Sequence, residues 1–136
     1  MKRKAIAGIV LAIVLMTAVG SASMVVRVRA QVVWNVPLSG SLAFVVSTLA
    51  LSGDTIHVAA GYVENLAADL VIAQTNLHIY GDPRGAMPII NCMGFSIKVN
   101  GAAFAMMKME ITNALVGISL AVGIHEPWIF GCSIHN

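Results

Sequence analysis

Gly53-Asp54-Thr55-Ile56-His57-Val58-Ala59-Ala60-Gly61-Tyr62-Val63-Glu64-Asn65 marks a change of pattern in the chain. From Gly53 onward, short β-branched runs alternate with turn residues. Thr55 to Val58 is the first run. Leu70 to Ile72, Leu77 to Tyr80, Pro88 to Asn91, Phe95 to Val99, Met106 to Thr112, Val116 to Leu120 and Trp128 to Ile134 follow. Gly, Asn, Asp or Pro lies between most of them. Such runs are too short for helices and too close together for βαβ units.

The spacing also repeats. Ile56 and Val58 recur as Leu77 and Ile79, 21 residues later, and Met109 to Asn113 recurs as Cys132 to Asn136, 23 residues later. A period in the low twenties suits one turn of a three-sided solenoid, in which each turn buries its apolar side chains on the next. The longer interval between residues 79 and 107 predicts an insertion in one coil, near Asp82 to Met87. A β-sandwich is the alternative, but it leaves the repeated Ile-x-Asn ending unexplained.

Upstream of Gly53 the pattern is helical. Gln31 to Val36 reads as a short strand ended by Pro37. Ser39 or Ser41 can cap a helix, and Leu42, Val45, Val46 and Leu49 fall at i, i+3, i+4 and i+7. A helix over Ser41 to Leu51, stopped by Ser52-Gly53, would cover the open end of the first coil, whose edge would otherwise pair with another chain.

These residues resemble the opening of pectin-lyase-like right-handed parallel β-helix proteins. The family form is Gly-Asp-Thr-Ile-x-Val-Ala-Pro-Gly-x-Tyr-x-Glu-Asn, followed by a Leu-Thr-Ile-x-Gly-Asp that resembles Leu77-His78-Ile79-Tyr80-Gly81-Asp82 here. Ile111-Thr112-Asn113-Ala114, Gly117-Ile118-Ser119-Leu120 and Ile134-His135-Asn136 resemble the coil endings of its repeat-rich members. Those include archaeal and bacterial surface proteins and the periplasmic accessory protein of nitrous oxide reductase. The likeness runs over about residues 41 to 136. Ala60 stands where the family has proline, and one residue is missing between Gly61 and Tyr62, so a reshaped first turn is expected. The resemblance implies an all-β, right-handed parallel β-helix of three to four coils with a short N-terminal capping helix. Family members run for many more coils, whereas this sequence stops at Asn136 within a coil ending. Residues 31–136 therefore read as the N-terminal portion of a truncated β-helix, with self-association expected through the uncapped C-terminal coil.

Composition agrees with strands buried on both faces: of 136 residues, 58% are hydrophobic and 10% charged, against about a quarter charged in ordinary soluble domains. The net charge of +2 comes largely from Lys2, Arg3, Lys4, Arg27 and Arg29. Past residue 30 the acidic residues outnumber Arg84, Lys98 and Lys108, so no basic patch remains for a nucleic acid. Lys2-Arg3-Lys4, the apolar run Ala5 to Val19 and the small residues Ser21-Ala22-Ser23 form the three parts of a secretory signal. Cleavage after Ala22, after Ser23 or after Ala30 fits. Ala5 to Val26 also reaches the roughly 20 apolar residues that cross a bilayer. Residues 1–30 are thus a signal peptide or a membrane anchor. The anchor would leave Arg27 and Arg29 outside, against the positive-inside tendency. Either way the rest of the chain is secreted or at the cell surface.

Candidate chemistry is sparse. The family's polysaccharide lyases and hydrolases carry Asp, Arg or Lys clusters on one outer face, and glycoside hydrolysis needs a carboxylate pair. Asp69, Asp82, Glu110 and Glu126 are scattered, and Asp82 in Gly-Asp-Pro-Arg suits a turn, so no catalytic residue is assigned. His57, His78, His125, His135, Cys92, Cys132 and the Met residues are soft-metal donor types. They lack ligand spacing, and no metal or cofactor is expected. His57 and His78 are expected to stack on adjacent coils. Cys92 and Cys132 need neighbouring coils to reach disulfide distance; two free thiols are the first expectation. Tyr62, Trp128 and Phe130 are first expected in core packing, and second as a sugar-stacking surface. The functional expectation is an exported non-enzymatic solenoid that meets a polysaccharide or another surface protein. The alternative is the opening of a carbohydrate-active β-helix enzyme.

Overall fold

The computed structural model describes residues 29–136, so all but the last two residues of the expected signal or anchor segment, 1–30, lie outside the described residues. Gln31 to Asn136 form one compact unit. Twelve short strands stack in parallel into three sheets, a β-solenoid of about four turns. Every pairing is parallel, which excludes the sandwich.

Sheet A comprises β1 (Val33–Val36), β2 (Thr55–Val58), β5 (His78–Gly81), β8 (Ala105–Met107) and β11 (Trp128–Phe130). Sheet B comprises β3 (Val63–Asn65), β6 (Ile89–Asn91), β9 (Glu110–Thr112) and β12 (Ser133–His135), and sheet C β4 (Leu70–Ile72), β7 (Ile97–Val99) and β10 (Ile118–Leu120). Each coil runs A, then B, then C. Ile56, Val58, Leu77, Ile79, Ile90, Ile97, Val99, Phe104, Met106 and Ile111 fill the interior. Alternate strand residues point out.

The register corrects two expectations. Ile56 lies opposite Ile79, 23 residues on, not opposite Leu77. A shift of two residues keeps every side chain on its own face, so apolar alternation could not choose between the two pairings. The runs Met106–Thr112 and Trp128–Ile134 each split into two strands. They are broken at Lys108 and Gly131, whose backbones are left-handed (φ 55° and 61°) and turn the coil from sheet A to sheet B. The expected insertion is present: the chain takes 11 residues from His78 to Ile89, but only five from Ala105 to Glu110. The extra length is the loop holding Asp82 to Met87. At the corner from sheet C to sheet A, Gly53, Asn76, Ala103 and Glu126 stack with φ of 87°, 54°, 53° and 56°. The glycine of the opening motif is the first member of that stack.

The cap helix is shorter than expected. It runs over Leu42–Phe44 (α1), then widens into a π-helical turn, Val45–Leu49, closed by the Ala50 amide donating to the Val45 carbonyl. It stops at Ala50 because the next groups are taken by the first coil. The Leu51 amide donates to Asp54 Oδ2, and Gln74 Nε2 donates to the Val46 and Ala50 carbonyls at 2.6 and 3.1 Å. At the other end the Ser41 hydroxyl accepts from the Phe44 amide. Buried Glu64 accepts from the Leu42 amide at 2.6 Å and from the Tyr62 hydroxyl at 2.7 Å. Asp54, also buried, accepts from the Val32 amide and from Trp34 Nε1, which holds β1 onto β2. The Asp and Glu of the opening motif are therefore the groups that fasten the cap. Val45, Val46 and Leu42 press on the core beneath, as their spacing predicts.

The first turn closes without the proline of the proteins its motif resembles. The Tyr62 amide donates to the Ala59 carbonyl at 3.2 Å and Gly61 has φ 72°, the pattern of a type II turn with Ala60 at its second position. Two outcomes follow for denaturant unfolding. Glu64→Ala strands the Leu42 amide and the Tyr62 hydroxyl and lowers stability by about 3 kcal/mol, with Glu64→Gln losing less. Ala60→Pro pre-sets the turn and raises stability by about 0.5 kcal/mol; a destabilised Ala60→Pro would show that the turn is not of this type.

Candidate functional site

The outward face of sheet A is the surface that collects the most chemistry. Parallel register lines its side chains into two columns. One runs Asn35, His57, Tyr80, Met107, Phe130, and the other Val33, Thr55, His78, Ala105, Trp128. His57 stacks on Tyr80, not on His78 as expected; the ring centroids are 5.1 Å apart. The two-residue register shift is the cause. His78 lies beside Asn76, with Nε2 and Oδ1 3.2 Å apart.

The column of Trp128 borders a groove of about 630 Å³, shared with Asn76, His78, Met107, Glu126 and buried Phe104. Trp128 and Phe130 are 67% and 64% exposed. They face outward, against the expectation that they fill the core, because inward-facing Ile129 between them sets the parity of β11. Glu126 stands at the groove's rim in left-handed backbone, where glycine or asparagine is the ordinary occupant. Among the described residues it makes no ion pair.

Tyr62 does not join them. It sits at the entry to β3 in the first coil, packed against the core, with its hydroxyl on Glu64. Burial, reinforced by the hydrogen bond to that carboxylate, pushes its phenol up to about 12. The structure thus brings Trp128 and Phe130 together and assigns Tyr62 to the cap.

The other carboxylates have partners. Asp82 is held well below the usual carboxylate range, first by the Arg84 side chain, whose Nη2 is 2.7 Å from Oδ2, and then by the Arg84 backbone amide. His57 Nε2 lies 3.8 Å from the same oxygen. Lys98 lowers Asp69 across a 2.6 Å contact, with help from the Ser96 amide. Glu110 meets His135 at 2.9 Å. Among the described residues, no three His, Cys, Asp or Glu side chains converge as a metal site, and no helix is long and apolar enough to cross a membrane. On sheet B, Asn65, Asn91 and Asn113 form a hydrogen-bonded side-chain ladder with contacts of 2.8 and 3.0 Å. The repeated asparagine at coil endings is its sequence trace.

Cys92 follows β6 and Cys132 precedes β12, two coils apart, and both thiols are free. Burial raises both thiols above their ordinary range. Neither a protein-family model, nor a curated protein, nor a solved structure matches the chain. In the native protein an aromatic disulfide reagent should modify half-buried Cys132 before fully buried Cys92, with no prior reduction. Thiols that appear only after reductant would contradict this placement.

Proposed function

We propose that the chain is an exported β-solenoid, held at or outside the cell surface, that binds an extended polysaccharide along the outward face of sheet A without transforming it. One observation carries the reading. Trp128 and Phe130 stand two residues apart on one side of β11, mostly exposed, beside a groove whose rim bears the strained Glu126. Exposed aromatic faces offer apolar area to sugar rings. A carboxylate and an amide at the rim, Glu126 and Asn76, can hydrogen-bond sugar hydroxyls. Columns that repeat every ~4.8 Å match a ligand that is itself a repeat.

Two sequence features support the setting. The Lys2-Arg3-Lys4 and Ala5 to Val19 pattern is that of an export signal. The Gly53 to Asn65 motif resembles pectin-lyase-like proteins, whose members act on or bind polysaccharides. Binding is preferred over cleavage because Asp54 and Glu64 fasten the cap, while Asp69, Asp82 and Glu110 are engaged by Lys98, Arg84 and His135.

The test is retention of the full chain, purified in detergent, on insoluble neutral, amino and uronic polysaccharides. Wild type should be retained on at least one of them. Trp128→Ala and Phe130→Ala should each weaken binding about tenfold, or about 1.4 kcal/mol. Retention unchanged in both variants, or absent for wild type on every polymer, would refute the reading. Release of reducing ends or unsaturated sugars during incubation would replace it with an enzymatic one.

A further inference from the structure

We propose that the polymer held on sheet A is one that carries ammonium groups, an amino-sugar polysaccharide in its cationic form. The inference rests on the reading of sheet A as a polysaccharide surface and adds the sign of the charge that the surface selects. The two outward columns of the sheet hold no Lys, Arg, Asp or Glu. The charge of the face is therefore set at its two margins.

The margins differ. On the A–B side Arg84 donates to Asp82 from its amide, Nε and Nη2, at 2.9, 2.9 and 2.7 Å, so the two charges cancel. Lys108 stands on that side too, with Nζ beside Gly131 just past the end of β11. On the C–A side the groove of Trp128 is lined by Glu126 and by no Lys, Arg or Asp. Among the described residues the Glu126 carboxylate takes part in no ion pair and no hydrogen bond. Its titratable neighbours are His78, which lines the same groove, and His125, which precedes it in the chain. The groove thus has one acidic wall with no cation opposite it.

The backbone fixes where that acid stands. The His125 carbonyl accepts from the Ala103 amide at 3.2 Å, and the Trp128 amide donates to the Phe104 carbonyl at 2.7 Å. Glu126 lies between these two rung bonds, followed by Pro127, whose ring fixes φ. The residue stacked next to it at this corner is Ala103, so no bulky side chain fills the space beside it. A neutral sugar offers such a carboxylate only hydroxyl groups, and a uronic acid repels it. An ammonium group suits both walls of the groove. It forms charge-assisted hydrogen bonds with Glu126, and it is attracted to the exposed indole face of Trp128.

The experiment is calorimetric titration of the full chain, purified in detergent, with two β-linked hexamers. One is N-trimethylated glucosamine, whose positive charge does not depend on pH. The other is its N-acetylated, neutral twin. Mildly alkaline buffer keeps histidine charge out of the comparison. Wild type should bind the cationic hexamer about tenfold more tightly at low salt, and added salt should shrink that advantage. Glu126→Gln should reduce the ratio to about twofold or less. Glu110→Gln, which removes a carboxylate outside the groove, should leave the ratio as in wild type. Equal binding of the two hexamers by wild type overturns the proposal. So does an advantage that ignores salt, that survives Glu126→Gln, or that disappears in Glu110→Gln. If the hexamers bind equally and Trp128→Ala weakens both, the choice of charge falls while the polysaccharide reading stands. If wild type binds neither hexamer and is retained on no polymer, both fall together.

Discussion

The bare end of a parallel coil is a row of unpaired backbone groups lying beside an apolar interior, and an open end there invites pairing with another chain. Here the closure depends on two buried carboxylates. Glu64 supplies the acceptor for the start of the cap helix, and Asp54 the acceptor for its exit and for β1. A buried carboxylate without donors would be costly; with several donors it becomes a strong, directional clamp. Tyr62, Trp34 and Gln74 complete the clamp. Once the first coil is closed, each later coil needs only the one before it. That is why the motif from Gly53 to Asn65 is dense in specified residues, while later coils tolerate Ala103 or Glu126 where Gly53 stands in the first.

Much of this was legible in the sequence because it follows from periodicity. The i, i+3, i+4, i+7 spacing of Leu42, Val45, Val46 and Leu49 located the cap and its buried face. Met109 to Asn113 recurring as Cys132 to Asn136 located the 23-residue register of β12 on β9, as the pairing of Ile111 with Ile134 shows. The lengthened coil was visible in the extra residues around Asp82. What failed was whatever alternation cannot encode. A strand shifted by two residues presents the same pattern of faces, so the pairing of His57 with Tyr80 was hidden. Left-handed corners at Lys108 and Gly131 cut runs that read as continuous.

The candidate site was legible in part. Alternation placed Trp128 and Phe130 on one side of their strand, but not on which side. Only the inward direction of Met106, directly opposite Ile129, decides that they face out. Residue type alone groups Tyr62 with them, and its place in the first coil, against Glu64, separates it. The capping role of Glu64 had no local signal, because the Leu42 amide it accepts from lies 22 residues upstream. The left-handed backbone at Glu126 had no sequence signal at all, since glutamate is an unusual occupant of that conformation.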